Sequence, residues 1–221
     1  MNNKRCSLYL ITPPKIVLTD FIEKLSQAFD GGEIAALQVR LKDTDKSDIC
    51  RAIEKIFPIA QSYGTSLIVN DDPRIAKEMG CDGVHIGQSD TCYSNARQII
   101  GADKVVGVTC HDSRHLAMEA GDQGADYVAF GSFYHTSTKQ VSFCPEITIL
   151  NDWSETTLVP CVAIGGIDHE NCKPLVLAGA DYLAVISAVW DFLEGPQASI
   201  AYFHKIISAQ LISEVASNFA N

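Results

Sequence analysis

Ser66-Leu67-Ile68-Val69-Asn70-Asp71-Asp72-Pro73, continued by Gly83-Val84-His85-Ile86-Gly87-Gln88-Ser89-Asp90, decides the fold. Ser66–Val69 is short, apolar and β-branched, the composition of a buried strand. It stops at Asn70-Asp71. Asp72 then stands where a helix N-cap belongs, with Pro73 at the first helical position. Arg74 to Met79 reads as a short helix and Gly83 to Ile86 as a second strand, ending on Gln88-Ser89-Asp90. The unit is β-α-β, so its strands are parallel and their ends share one face of a sheet. Asp71 and Asp90 are thereby brought toward each other. Two carboxylates beside an Asn and a Gln make a hard oxygen site suited to Mg²⁺ carrying a phosphorylated ligand. The plainer reading is that both carboxylates only cap helices.

Outward from this unit, apolar and amphipathic runs alternate along the chain. Strands are expected at Ser7–Thr12, Ala35–Val39, Val105–Val108, Tyr127–Phe130, Cys161–Ile164 and Tyr182–Ile186. Helices are expected over Phe21–Phe29 with a Thr19-Asp20 cap, over Asp45–Tyr63 with a kink or break at Pro58, and over Tyr93–Ile100. Four more follow at Ser113–Gly121, Pro145–Leu150, Asn171–Ala178 and about Gln197–Glu214. Strand-helix alternation over eight units predicts an α/β protein built as a single-domain (β/α)₈ TIM barrel, residues 1–221. An internal echo supports this. Gly80-Cys81-Asp82-Gly83, Gly124-Ala125-Asp126-Tyr127 and Gly179-Ala180-Asp181-Tyr182 each give a helix-ending Gly, a small residue, Asp and then a strand.

The 221 residues are 47% hydrophobic, enough for a sizeable core. The net charge is −10 and no Lys/Arg run occurs, which argues against nucleic acid and anionic membranes as partners. An acidic protein that handles phosphates must concentrate its positive charge locally. The eight Cys lack C-x-x-C or zinc spacing and sit mostly in apolar runs, so they read as free core residues in a cytoplasmic protein.

Barrel sites lie at the C-terminal strand ends. After the second strand, Gln38, Arg40 and Lys42 alternate and share a side if the chain stays extended, a natural pyrophosphate grip. After the fifth come Thr109 and His111, a hydroxyl donor and an acid or base. His85 reads equally well as a core residue bonded to backbone. After the sixth comes a long loop with Thr136, Thr138 and Lys139, suited to phosphate or leaving-group recognition. After the seventh and eighth come Gly165-Gly166 and Ile186-Ser187, where barrels hold phosphates on backbone N–H groups.

Gln-x-Arg-x-Lys, Asn-Asp, Asp-Gly-Val-His-Ile-Gly-Gln-x-Asp, Gly-Ala-Asp-Tyr-Val, Thr-x-Thr-Lys, Ala-Ile-Gly-Gly-Ile and Val-Ile-Ser-Ala, in that order from about Leu8 to Trp190, resemble thiamine phosphate synthase. The resemblance implies a Mg²⁺-dependent transferase. It would join 4-amino-2-methyl-5-hydroxymethylpyrimidine pyrophosphate to hydroxyethylthiazole phosphate, by dissociative departure of pyrophosphate. Carried over by position, Asp71 and Asp90 would hold Mg²⁺. Gln38, Arg40, Lys42, Asn70, Thr109 and Lys139 would hold the pyrimidine pyrophosphate. Thr136, Thr138, Gly166, Ile186 and Ser187 would hold the thiazole phosphate, and Arg40, Lys42, Lys139 and Thr109 would act in catalysis. The chain departs from the family at Leu41, where Glu is usual, at Ser132 and His135, where Pro is usual, and across residues 140–146. Rival readings are a thiazole tautomerase with a base such as His111, and a non-catalytic thiamine-phosphate-binding relative. Neither homo-oligomer nor monomer is selected.

Overall fold

A computed structural model describes residues 6–136 and 143–218, the last nine as backbone only. Eight parallel strands close into a barrel in sequence order, β1-β2-β3-β4-β5-β6-β7-β8 and back to β1. They are β1 (Ser7–Ile11), β2 (Ala36–Val39), β3 (Ser66–Asn70), β4 (Gly83–Ile86), β5 (Val105–His111), β6 (Tyr127–Gly131), β7 (Cys161–Ile164) and β8 (Tyr182–Val185). The helices between them are α1 (Leu18–Asp30), α2 (Lys46–Ser62), α3 (Pro73–Glu78), α4 (Tyr93–Ile100), α5 (Arg114–Asp122), α6 (Thr148–Thr156) and α7 (Cys172–Leu177), followed by α8 (Ser187–Trp190) and α9 (Pro196–Asn218). The expected (β/α)₈ barrel is the observed fold.

Side chains alternate along each strand, and the two faces bury different things. One face packs on the helices through Leu8, Leu37, Leu67, Val84, Val128 and Leu183. The other fills the barrel with a smaller cluster that includes Tyr9, Ile11, Ile68, Tyr127 and Val162.

The repeated Gly-x-Asp has a physical purpose. Asp82, Asp126 and Asp181 each turn a carboxylate oxygen back onto the neighbouring strand, accepting from the N–H of Leu67, Val106 and Cys161 at 2.8, 2.7 and 2.8 Å. The backbone N–H of each Asp returns to the carbonyl of the same residue. Three strands are thus clamped to their predecessors at the end opposite the strand exits, β4 to β3, β6 to β5 and β8 to β7. Gly80, Gly124 and Gly179 supply the positive φ that ends the preceding helix.

Several expected boundaries move. Helix α1 begins at Leu18, with Val17 rather than Thr19-Asp20 at its start, and the first turn already closes from the Phe21 N–H to the Val17 carbonyl at 2.9 Å. Pro58 leaves α2 undivided. It is exposed, so the carbonyl that it leaves without a donor lies on the solvent face. Helix α6 is displaced to Thr148–Thr156 because its buried stripe is Ile149, Leu150 and Trp153, with the Trp153 indole N–H on the Val159 carbonyl at 2.7 Å. Strand β5 continues past Val108 to His111 over an irregularity at Thr109/His111. A short helix, α8, interrupts the strict alternation. No disulfide forms among the eight Cys. Burial pushes the Cys81 and Cys110 thiols up to about 12 and Cys172 to about 11, as expected for core residues. Among the described residues no helix is long and apolar enough to cross a membrane.

Candidate active site

The exits of β1 and β2 stay paired beyond the strands. The Thr12 N–H donates to the Gln38 carbonyl at 3.0 Å, the Arg40 N–H to Thr12 Oγ1 at 2.9 Å, and the Lys42 N–H to the Pro14 carbonyl at 2.9 Å. Pro13-Pro14 therefore keeps residues 38–42 extended, which is the condition for Gln38, Arg40 and Lys42 to face one way. Gln38 is buried at the barrel mouth, and its amide donates to the Tyr9 hydroxyl at 3.1 Å. Arg40 is half-buried. Burial lowers its proton affinity and Asp71 opposes that. No carboxylate among the described residues pairs directly with its guanidinium.

Helix α3 starts as expected, with Asp72 accepting from Arg74 N at 2.8 Å and from Ile75 N at 3.3 Å. The tight entry puts Asp71 at φ +68°. Its N–H is fixed on the His85 carbonyl at 2.8 Å, and its carboxylate accepts from Lys42 Nζ at 3.0 Å. Asp90 accepts from the Gly87 N–H at 2.8 Å. Its carboxyl is raised above the usual 3.8, first by partial burial and then by Asp71, while the Gly87 N–H and Lys42 pull it down. The ends of β3 and β4 therefore hold two carboxylates in charge contact beside one ammonium. The first carboxylate is not merely a cap, because Asp72 does the capping. Asn70, the last residue of β3, pairs with His85 in register.

Thr109 stands at the β5 exit, its carbonyl accepting from Gln88 Nε2 at 2.6 Å and its hydroxyl bonded to His85 Nε2 at 2.7 Å. His85 is buried, and its other nitrogen meets the Tyr127 hydroxyl at 2.9 Å. Tyr127 bonds Tyr9 at 2.8 Å. Thus His85 is a core histidine whose two ring nitrogens each meet a side-chain hydroxyl. Gly107 lies beneath this group, where an added Cβ would overlap the Tyr127 ring. Sequence reading missed Tyr9 and Tyr127. Their only signal is one tyrosine on an inward position of each of two largely apolar strands. His111 adopts φ +55° and stacks on Phe143 at 4.3 Å.

The far side of the mouth is made largely of backbone. The segment after β6 runs along the exit of β7, with Phe133 N on the Ile164 carbonyl at 3.1 Å and Tyr134 N on the Gly165 carbonyl at 3.0 Å. Gly165 and Gly166 have φ of +104° and +63°, and a Cβ on either would run into Ser132 or His135. Asn171 staples this turn, donating to the Gly166 carbonyl at 2.8 Å and accepting from Asp168 N at 2.9 Å. Thr136 follows His135 and so lies beside Gly166. Ile186 caps α8, and Ser187, exposed, opens it. The return limb is tied back by Ser132 N on the Phe143 carbonyl at 3.2 Å. Thr138 and Lys139 lie outside the described residues. Among the described residues no group of three His, Cys, Asp or Glu gathers as a complete metal cage. The Asp71–Asp90 pair fits a cation that keeps most of its ligands as water and substrate oxygens, as Mg²⁺ does.

Comparison with known proteins bears on residues 8–189, which match the family model described as thiamine monophosphate synthase. A thiamine-phosphate synthase of Rhodospirillum centenum is 51% identical over 202 residues, covering 91% of this chain and 98% of that protein. One from Hyphomonas neptunium is 41% identical over 210 residues, covering 93% and 95%. A thiamine phosphate pyrophosphorylase structure from Pyrococcus furiosus superposes with a TM-score of 0.80 at 28% identity, covering 94% and 98% of the two chains. Orotidine 5'-phosphate decarboxylase from Pyrococcus horikoshii, at 12% identity, 90% and 99% coverage and a TM-score of 0.66, shares the fold alone.

Proposed function

The chain belongs to the thiamine monophosphate synthase family, and on that basis we propose that it is a thiamine phosphate synthase that couples the pyrimidine pyrophosphate to the thiazole phosphate. The bond between the pyrimidine methylene carbon and the pyrophosphate oxygen breaks, and its electron pair leaves with pyrophosphate. The thiazole nitrogen then supplies the pair for the new C–N bond. No proton need move, so the site requires charge stabilisation and dryness rather than a base.

Asp71 and Asp90 would hold Mg²⁺, which supplies charge neutralisation on the pyrophosphate. Arg40 offers a planar two-point grip and Lys42 a point charge. In this structure Lys42 covers Asp71. A bound pyrophosphate with its cation would compete for both. Gln38, Asn70 and Thr109 would hold the pyrimidine half, with Lys139 on the leaving group. Thr136, Thr138, Gly166, Ile186 and Ser187 would hold the thiazole phosphate. The glycine turn leaves no room for side chains, which favours close approach of an anion to backbone.

The observation that carries this reading is the pair Asp71–Asp90 in charge contact, with Lys42 bound to Asp71 and Arg40 within its charge reach. A tautomerase would need neither the carboxylate pair nor the cationic grip. The test incubates the protein with both substrates and Mg²⁺. Thiamine phosphate and pyrophosphate in equal amounts are expected. Isomerised thiazole alone would support the tautomerase, and binding without turnover a non-catalytic relative.

A further inference from the structure

Five side chains from five strands form one hydrogen-bonded chain through the barrel. Gln38 Nε2 reaches Tyr9 Oη at 3.1 Å, Tyr9 reaches Tyr127 at 2.8 Å, Tyr127 reaches His85 Nδ1 at 2.9 Å, and His85 Nε2 reaches Thr109 Oγ1 at 2.7 Å. Both ends are residues assigned above to the pyrimidine. The two tyrosines are buried, and desolvation raises both phenols well above their ordinary range, so each keeps one proton.

Counting protons then orders the chain. An amide nitrogen only donates, so Tyr9 accepts from Gln38 and must give its own proton to Tyr127. Tyr127, having accepted, gives its proton to His85 Nδ1. A neutral His85 then carries hydrogen on Nε2 and donates to Thr109. The Thr109 hydroxyl proton is left for the mouth. At the other end Gln38 turns its amide nitrogen inward, spending one of its two N–H groups on Tyr9, and keeps Oε1 as its acceptor. Reversing any one link alone would set two donors against each other, leave a buried hydroxyl proton without an acceptor, or strip the imidazole of its proton.

We infer that Tyr9, Tyr127 and His85 are positioning residues which fix the polarity of the mouth, making Gln38 an acceptor and Thr109 a donor. This rests on the proposed function. It selects a ligand that offers an N–H to Gln38 and a lone pair to Thr109, as an aminopyrimidine phosphate does. The oxo analogue, with a carbonyl in place of the amino group, would turn an acceptor onto Gln38 Oε1. A site built around one hydrogen-bond polarity rejects the wrong partner because its own polar atom is left unpaired.

The test is a long-range ¹H–¹⁵N spectrum of ¹⁵N-histidine protein at pH 8, with His85 assigned by loss of its signals in His85→Gln. Wild type is expected to show hydrogen on Nε2, and hydrogen on Nδ1 would overturn the inference. Tyr127→Phe removes the donor to Nδ1 and is expected to shift the tautomer toward a mixture, whereas an unchanged spectrum would count against the order. Tyr9→Phe frees the Gln38 amide. It should lower the kcat/KM preference for amino over oxo pyrimidine pyrophosphate about tenfold, the order of one hydrogen bond, and an unchanged preference would overturn the link to Gln38. Should Tyr127→Phe not fold, the wild-type tautomer and Tyr9→Phe still decide. If no form makes thiamine phosphate, the functional reading falls, while the spectra independently judge the proton order.

Discussion

The two sides of the barrel mouth are built from opposite materials. From β2 to β4 the site is side chains: an amide, a guanidinium, an ammonium and two carboxylates, each aimed by a backbone bond at its root. From β6 to β8 the described part is chiefly backbone: a glycine turn without room for a Cβ, stapled by Asn171, with Thr136 and Ser187 at its margins. Charge is delivered by one side and shape by the other. A ligand with a pyrophosphate at one end and a phosphate-bearing ring at the other would meet them in turn.

That contrast can be broken from either side. Asp71→Ala removes one of the two carboxylates offered to Mg²⁺ and is expected to lower Mg²⁺-dependent turnover ~100-fold or more with the fold retained. Full activity in a steady-state assay would end the metal assignment. Gly166→Ala attacks the backbone side, combining φ +63° with overlap on His135. It should raise KM for the thiazole phosphate by about 10–100-fold while sparing the pyrimidine KM. Equal effects on both KM values would mean that the two sides are not separate subsites.

Smaller effects sharpen the comparison. Asp82→Ala strips the β3–β4 clamp far from the mouth. It should cost about 1.5–3 kcal/mol in denaturant unfolding with both KM values unchanged. A change in Mg²⁺ affinity would show that the clamp helps to place the carboxylates. Asp90 titrates in the opposite sense to a salt-bridged acid. Its folded carboxyl is raised above 3.8, so the unfolded chain ionises first. The stability that it contributes is present below that unfolded value and is lost as pH rises through the higher folded one. At neutral pH without divalent cation, Asp90→Asn should therefore give a slightly higher melting temperature than wild type. Added Mg²⁺ should stabilise the wild type more than the variant. A lower melting temperature for Asp90→Asn would mean that the Gly87 bond outweighs the charge contact with Asp71.

How much of this was legible in the sequence followed the range of the interaction. The Asp72-Pro73 cap, the Gly-x-Asp repeat and the alternation of Gln38, Arg40 and Lys42 are local patterns, and each is found in the structure as read. The start of α1 was misplaced because Thr19-Asp20 is a good local cap, while the first turn already closes between Phe21 and Val17. Helix α6 was expected over Pro145–Leu150, while the burial of Trp153 anchors the helix later. The chain from Gln38 to Thr109 was invisible for a stronger reason. Tyr9 and Tyr127 are 118 residues apart and meet only when the barrel closes. His85 consequently read as an ordinary core residue. Among the proposed ligand residues, the structure groups Gln38, Arg40, Lys42, Asp71 and Asp90 on one side and Thr136 with Gly166 on the other.

The central claim is that Asp71 and Asp90 together hold one divalent cation for a pyrophosphate gripped by Arg40 and Lys42. Calorimetric titration of Mg²⁺ into the protein with pyrophosphate present tests it most directly. One ion per chain is expected for the wild type, with binding lost in both Asp71→Asn and Asp90→Asn. Undiminished binding in either variant would contradict the claim.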